Sequence, residues 1–133
     1  MAGETSLSTL LRSMSPQLNA SDYVFCTLRD SQLPSGLEIV GSFREQEGLT
    51  VILERSHAEQ AGFSFDYVAA WITLNVHSAL EAVGLTAAFA TALGNAGMSC
   101  NVIAGYYHDH VFVGQADAER AMQVLRDLAA NAE

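Results

Sequence analysis

The chain has 133 residues, half of them hydrophobic, which is enough for one compact domain or for two small units that share a core. Its 15 acidic and 6 basic residues give a net charge of -9. Such a surface repels phosphate backbones and anionic lipids, so we expect neither nucleic acid nor a membrane as a partner. The basic residues are all arginine, which excludes Schiff-base and pyridoxal chemistry on a lysine and the lysine-dependent phosphate-binding loop.

The start of the chain and its two cysteines indicate the compartment. No apolar run reaches the length of a membrane span, and the polar start MAGETS lacks the basic and apolar regions of a signal peptide. Cys26 and Cys100 lie far apart, without the spacing of a redox or zinc motif, and are predicted to be buried reduced thiols. A cytoplasmic protein is expected.

The first half of the chain alternates short helices with strands. Leucines at helical spacing predict a helix that Pro16 ends, and Gly48 lies in the turn before a strand. The predicted elements are a helix at 5–14, strands at 23–28, 37–43 and 49–53, and a short helix at 56–61.

The second half repeats this alternation with stronger signals. The apolar, β-branched run 69–76 is typical of a buried strand. A helical period begins at Leu85, and Gly97 lies where a helix C-cap is expected. A strand at 99–106, a turn at the sequence HDH, a strand at 111–113 and a helix at 116–130 follow.

An internal repeat relates the two halves. VILERSHAEQA at 51–61 aligns with VFVGQADAERA at 111–121, and the helix and strand before each copy also correspond. We therefore predict an α+β protein of ferredoxin-like βαββα units, with one half at 1–66 and the other at 67–133. The two halves would share or pack their sheets.

The stretch from ITLNVHSALEAVGL to CNVIAGY resembles the first half of an ACT domain, a small regulatory module that senses amino acids. In that family a Gly-Leu pair opens the first helix and an Ala-Gly pair closes it, as Gly84-Leu85 and Ala96-Gly97 do here. The sequences VHSALEAVGLTAA, AGYYHDHVFV and FREQEGLT are similar to those of a bacterial subfamily of stand-alone ACT proteins. The loop before Gly84 is longer than usual. No fourth strand follows the last helix, so the second unit must borrow one, and YVFCTL is a candidate.

The resemblance implies a ligand site at the start of this helix. A first helical turn presents free N-H groups, and a glycine lets a carboxylate approach them, so Gly84, Leu85 and Thr86 are the main candidates. The resemblance adds neighbouring residues of the loop and the following strand, namely His77, Ser78, Val83, Asn101 and Ile103. Alternatively, Gly84 only permits close packing of helix on sheet, or residues 78–81 form a capping box that starts the helix earlier and buries the site.

Acidic side chains suit the ammonium group of an amino acid. Asp109, Glu45 and Glu47 are the candidates, although on so acidic a chain each can equally be a solvated turn residue. HDH at 108–110 is predicted to be a turn with side chains pointing outward, with a hydrogen-bonding or ligand-gating role. The alternative is a metal or acid-base centre that joins His77 to His108, Asp109 and His110.

These observations predict a small-molecule sensor or regulatory protein of the ACT type, with an amino acid as its ligand. We expect a homodimer, no metal, no cofactor and no catalytic residues, and an enzyme partner is compatible with this role. Two alternatives stay open: a small metal-dependent or acid-base enzyme that uses the His and Asp cluster, and a structural dimerisation module without a ligand.

Overall fold

The computed structural model describes residues 6–76 and 83–132. The four helices among them are α1 (Leu7–Ser13), α2 (Arg55–Ala61), α3 (Leu85–Asn95) and α4 (Ala118–Ala130). The strands are β1 (Ser15–Leu18), β2 (Tyr23–Leu28), β3 (Gly41–Glu45), β4 (Gly48–Glu54), β5 (Val68–Asn75), β6 (Asn101–Ala104) and β7 (Asp109–Gly114). None of these helices has the length and apolar character needed to cross a bilayer.

The chain forms two compact units. The larger consists of residues 1–19 and 70–133, and the smaller of residues 20–69. The predicted halves, 1–66 and 67–133, differ from these units in the position of residues 1–19 and of residues 67–69. α1 and β1 lie in the larger unit because Leu10 and Met14 are buried in its core.

The smaller unit is an antiparallel sheet with one helix. Its strands run in the order β3-β4-β2, and the first residues of β5, Val68 and Ala69, pair with β2. Alternate residues of β2 and β4 pack with Ala58 of α2, which makes one face of the sheet the core. The strand predicted at 37–43 begins instead at Gly41, because Leu37 donates its N-H to Pro34 within a turn.

The larger unit places three helices against one face of its sheet. β5 has β1 on one side and β7 on the other, and β6 forms the edge beyond β7. α1, α3 and α4 contribute Leu10, Phe89 and Leu125, each fully buried, to one core. β1 supplies the fourth strand of this unit by pairing with residues 72–75 of β5. The suggested closing strand YVFCTL, which is β2, also neighbours β5, but it pairs only with Val68 and Ala69.

β1 is not predicted from the sequence, because its strand signals are weak. β1 pairs antiparallel with β5, with Ser15 opposite Asn75 and Leu18 opposite Ile72. Pro16 has no backbone N-H to donate. Proline is therefore tolerated in an edge strand but not in a strand at the centre of a sheet. The same proline that correctly ends α1 therefore concealed the strand.

Candidate functional site

α3 begins where the sequence predicts, directly after Gly84. The backbone of Gly84 is left-handed, with φ 101° and ψ -20°, and its carbonyl accepts the N-H of Ala88 to close the first helical turn. A residue without Cβ adopts this conformation at little cost. The N-H groups of Leu85, Thr86 and Ala87 precede the first intrahelical donor, so they point out of the helix end.

Side chains around this helix start differ in their access to solvent. Val83 is 83% exposed and Thr86 is exposed, whereas Leu85 is buried in the core and can offer a ligand only its backbone. Leu7 of α1 lies over Gly84, and a Cβ added to Gly84 would come within 3.1 Å of Leu7 Cδ2. The missing side chain of Gly84 therefore makes room for Leu7 as well as for a ligand at the helix start. His77, Ser78 and the 78–81 segment lie outside the described residues.

The β6 candidates lie on the other face of the sheet from α3. Asn101 is opposite Phe112 and Ile103 is opposite His110, whereas Val111 between them is buried against the helices. Residues paired directly across two strands share a face, so Asn101 and Ile103 project away from α3. The structure therefore does not bring them to the first turn of this helix.

The three acidic candidates occupy different environments, and Glu45 is exposed at the end of β3. Glu47 is exposed in the turn between β3 and β4 of the smaller unit. Asp109 is buried at the start of β7, on the helix-facing side of the sheet. Burial raises the pKa of the Asp109 carboxyl, and the nearby His110 lowers it in part.

The prediction of a turn at HDH is wrong in its position. The turn lies earlier in the chain, at residues 105–108 instead of 108–110. Gly105 donates its N-H to the His108 carbonyl at 2.9 Å, and Tyr106 and Tyr107 form the exposed tip. Asp109 and His110 are already in β7. In a strand every second side chain faces the core. Extending this alternation backward from Val113 predicts that Asp109 and His110 belong to the strand.

His110 is part of a polar network that sequence reasoning missed. Its Nδ1 accepts the Trp71 indole N-H at 3.0 Å and lies 3.2 Å from Thr73 Oγ1. Asn19 donates to Thr73 Oγ1 at 3.0 Å and to the Trp71 carbonyl at 3.1 Å. These residues are far apart in sequence, and no motif joins them.

The network determines the protonation of His110. The Trp71 indole can only donate, so Nδ1 must be an acceptor and the neutral ring carries its proton on Nε2. Burial lowers the pKa of His110, and the nearby His108 lowers it further, while Asp109 raises it in part. His110 is therefore held as a neutral hydrogen-bond acceptor.

The arrangement of HDH does not favour the metal alternative. Asp109 and His110 are successive strand residues and point to opposite faces of the sheet. Within residues 6–76 and 83–132, no three His, Cys, Asp or Glu side chains are placed to hold a metal ion together.

Cys26 and Cys100 are free thiols, and burial raises the pKa of each, which lowers their reactivity as nucleophiles.

Solved structures with this fold include aspartate kinases and a regulatory subunit of one of them. A Vibrio cholerae protein of unknown function, described as a possible transport protein, is 54% identical, with a TM-score of 0.83 over 94% of this chain and 97% of its own. The regulatory subunit of Thermus thermophilus aspartate kinase is 9% identical, with a TM-score of 0.59 over 85% and 95% of the two chains. E. coli aspartokinase III, in complex with aspartate and ADP, is 13% identical, with a TM-score of 0.63 over 92% of this chain and 34% of its own.

Two family models match successive parts of the chain. One ACT domain model matches residues 2–70 and another matches residues 67–127. No curated protein matches the chain. ACT domains are regulatory ligand-binding modules rather than catalytic ones. With two family models that together span nearly its whole length, this chain belongs to the ACT domain family.

Proposed function

We propose that the protein is a regulatory sensor that binds a small amino acid by its carboxylate at the start of α3. The observation that carries the proposal is the left-handed Gly84 at the start of α3, where the first-turn N-H groups have no acceptor within the helix and Thr86 is exposed. A helix N-terminus with free N-H groups and a positive dipole end favours a carboxylate. The aspartokinase structure with bound aspartate supports an amino acid as the class of ligand.

The proposal assigns a cytoplasmic location and a homodimer, with an enzyme of amino-acid metabolism as the regulated partner. The acidic composition and the absence of lysine support a small zwitterionic ligand over a nucleotide. Val83 forms the exposed rim of the site. His77 and Ser78 are assigned to the loop that precedes it. Asn101 and Ile103 lie on the sheet face opposite α3 and are not included in this site. Glu47 belongs to the smaller unit and is not assigned to this site.

Calorimetry of the pure protein against the twenty amino acids tests the proposal. We expect one amino acid to bind and its amide, which lacks the carboxylate charge, to bind far more weakly. At about 100 times its dissociation constant the ligand should add about 2.7 kcal/mol to the free energy of unfolding, which raises the melting temperature by about 3 to 6 °C. The absence of binding by every amino acid would contradict the proposal.

Two substitutions at Thr86 separate backbone from side-chain recognition. Thr86→Pro removes one first-turn N-H, and proline is tolerated there, so the thermal shift should be lost while the fold is kept. Thr86→Val keeps the N-H and should keep most of the shift. Ser56→Pro, at the equivalent position of α2, is the matched control. Gly84→Val is a poorer test, because its positive φ and the contact with Leu7 would strain the fold without any ligand.

A further inference from the structure

A groove crosses the outer face of the smaller unit, the sheet face opposite α2. The even-numbered residues of β2 pack in the core, so Phe25 and Thr27 lie on the outer face. Thr50 of β4 pairs with Thr27, and Phe43 of β3 pairs with Thr50, which places all three side chains in one row across the sheet. Phe43 is 72% exposed at the end of this row.

The groove has the size of a small-molecule site. It is open to solvent, its volume is about 550 Å³, and the 64–66 loop forms one wall. Phe25, Thr27, Thr50, Ser64 and Phe65 are among its lining residues, and Phe65 also packs against the core of the unit. An apolar body of a ligand can therefore lie against the rings while polar atoms reach the hydroxyls.

The charge in the groove is negative. Glu45 and Asp66 are the ionisable side chains among its described lining residues apart from the thiol of Cys26, which belongs to a core residue. Thr50 donates its hydroxyl hydrogen to Glu45 Oε1, which holds that carboxylate at the groove. On a chain of net charge -9, these two groups attract a cation and repel an anion.

Phe65 already takes part in a cation–π contact. The Arg55 guanidinium carbon lies 5.7 Å from the centre of the Phe65 ring. Arg55 is ion-paired with Glu59 at 3.5 Å and with Asp22 at 3.9 Å, and no ion pair joins it to Glu45 or Asp66 among the described residues. Its charge is thus directed to other carboxylates and not to those of the groove.

We propose that this groove binds an organic ammonium cation with a short apolar body. Aromatic rings attract cations through their negative faces, and carboxylates supply the charge partner. A metal ion would need several oxygen or nitrogen ligands, and no group of three such acidic, His or Cys side chains occurs among the described residues. An uncharged ligand would cover Glu45 and Asp66 without pairing them, at a cost in desolvation. The site lies within the smaller unit and does not depend on ligand binding at α3.

A ¹H–¹⁵N NMR titration with n-butylammonium chloride tests the proposal. The amide signals of Thr27, Glu45, Thr50 and Asp66 should shift saturably, with a dissociation constant on the order of 1 mM for so small a ligand. Added salt should weaken the binding because the carboxylates are exposed. The uncharged analogue 1-butanol should cause no comparable shift of these signals.

Variants of the groove separate charge from shape. The double substitution Glu45→Gln, Asp66→Asn keeps the size of both side chains and should weaken binding about tenfold, on the basis of about threefold for each exposed pair. Phe65→Leu keeps an apolar side chain without a ring and should weaken it about threefold or more, with circular dichroism to confirm the fold. Glu38→Gln removes one exposed carboxylate of the same unit outside the groove and is the charge-matched control for each of the single substitutions Glu45→Gln and Asp66→Asn.

Three outcomes would overturn the proposal. Equal shifts with 1-butanol would mean an apolar crevice without preference for a cation. Equal weakening by Glu38→Gln would mean that the net charge of the molecule attracts the ammonium ion, and not the groove. The absence of any saturable shift at tens of millimolar ligand would mean that no such site exists.

Discussion

His110 shows how one residue links pH to stability. Its pKa is lower in the folded protein than the ordinary value of about 6.5, because burial and the nearby His108 disfavour the charged ring. The unfolded chain then binds more protons below pH 6.5. The contribution of neutral His110 to the free energy of unfolding is therefore complete above pH 6.5. It is lost as the pH falls through the pKa of His110 in the folded protein.

We predict that the free energy of unfolding in urea is lower at pH 5.5 than at pH 7.5. Trp71→Phe removes the donor that favours the neutral ring, so it should raise the pKa of His110 and reduce this difference. Asp109 acts with opposite sign, because its raised pKa makes stability fall as the pH rises, and Asp109→Asn should remove that contribution. Equal stability of the Asp109→Asn variant at both pH values would contradict the assignment to His110.

Gly48 is a residue whose conformation and surroundings both require glycine. Its φ is +154°, and a Cβ there would lie 2.6 Å from the Leu28 carbonyl oxygen. Gly48→Ala should therefore lower the free energy of unfolding by about 1–3 kcal/mol. Gly94→Ala is the control, because Gly94 lies inside α3 with nothing within 4 Å of the added Cβ, and it should stabilise by about 0.5–1 kcal/mol. Equal effects of the two substitutions in urea unfolding would contradict this reasoning.

At the scale of elements, α1 and β1 are integral parts of the larger unit. Leu10 is fully buried and belongs to the same core as residues of α3 and α4. Leu10→Ala should therefore lower the free energy of unfolding by about 2–5 kcal/mol, because it leaves a cavity in that core. Leu33→Ala, at a 45% exposed position, should change it by less than about 0.5 kcal/mol. A neutral Leu10→Ala in chemical denaturation would mean that residues 1–19 are an appendage.

At the scale of the whole molecule, the strands at the two ends of the sheet order have an unpaired edge in the part of the chain that the structure describes. β3 pairs with β4 and β6 pairs with β7, and each is the last strand of its sheet order among the described residues. Phe43 on β3 and Ile103 on β6 are exposed. Proteins rarely leave such edges open, since the free N-H and C=O groups invite another strand.

We predict a homodimer at micromolar concentration, measured by sedimentation velocity. A lysine on the contacting edge should dissociate it, so one of Phe43→Lys and Ile103→Lys should give a monomer while the other remains a dimer. The variant that stays dimeric serves as the control for the added charge. A monomeric wild-type protein would contradict the prediction.

Local patterns in the sequence determined most of the secondary structure and the family. The helical period from Leu85, the Gly84-Leu85 start and the strands at β2 and β5 are short-range signals, because propensity and alternation act between neighbouring residues. The ACT family was identified from the sequence motifs around these elements. The position of Gly84 was predictable for the same reason.

Tertiary structure alone decided which distant segments meet. β1 became a strand because the edge of β5 pairs with it, and no local preference of a proline-containing segment indicates that partner. Trp71, His110 and Asn19 became one network because neighbouring strands bring them together across 39 to 52 residues of sequence. The outer-face groove of the smaller unit likewise depends on the register of three strands, and register is a property of pairing between strands and not of any one of them.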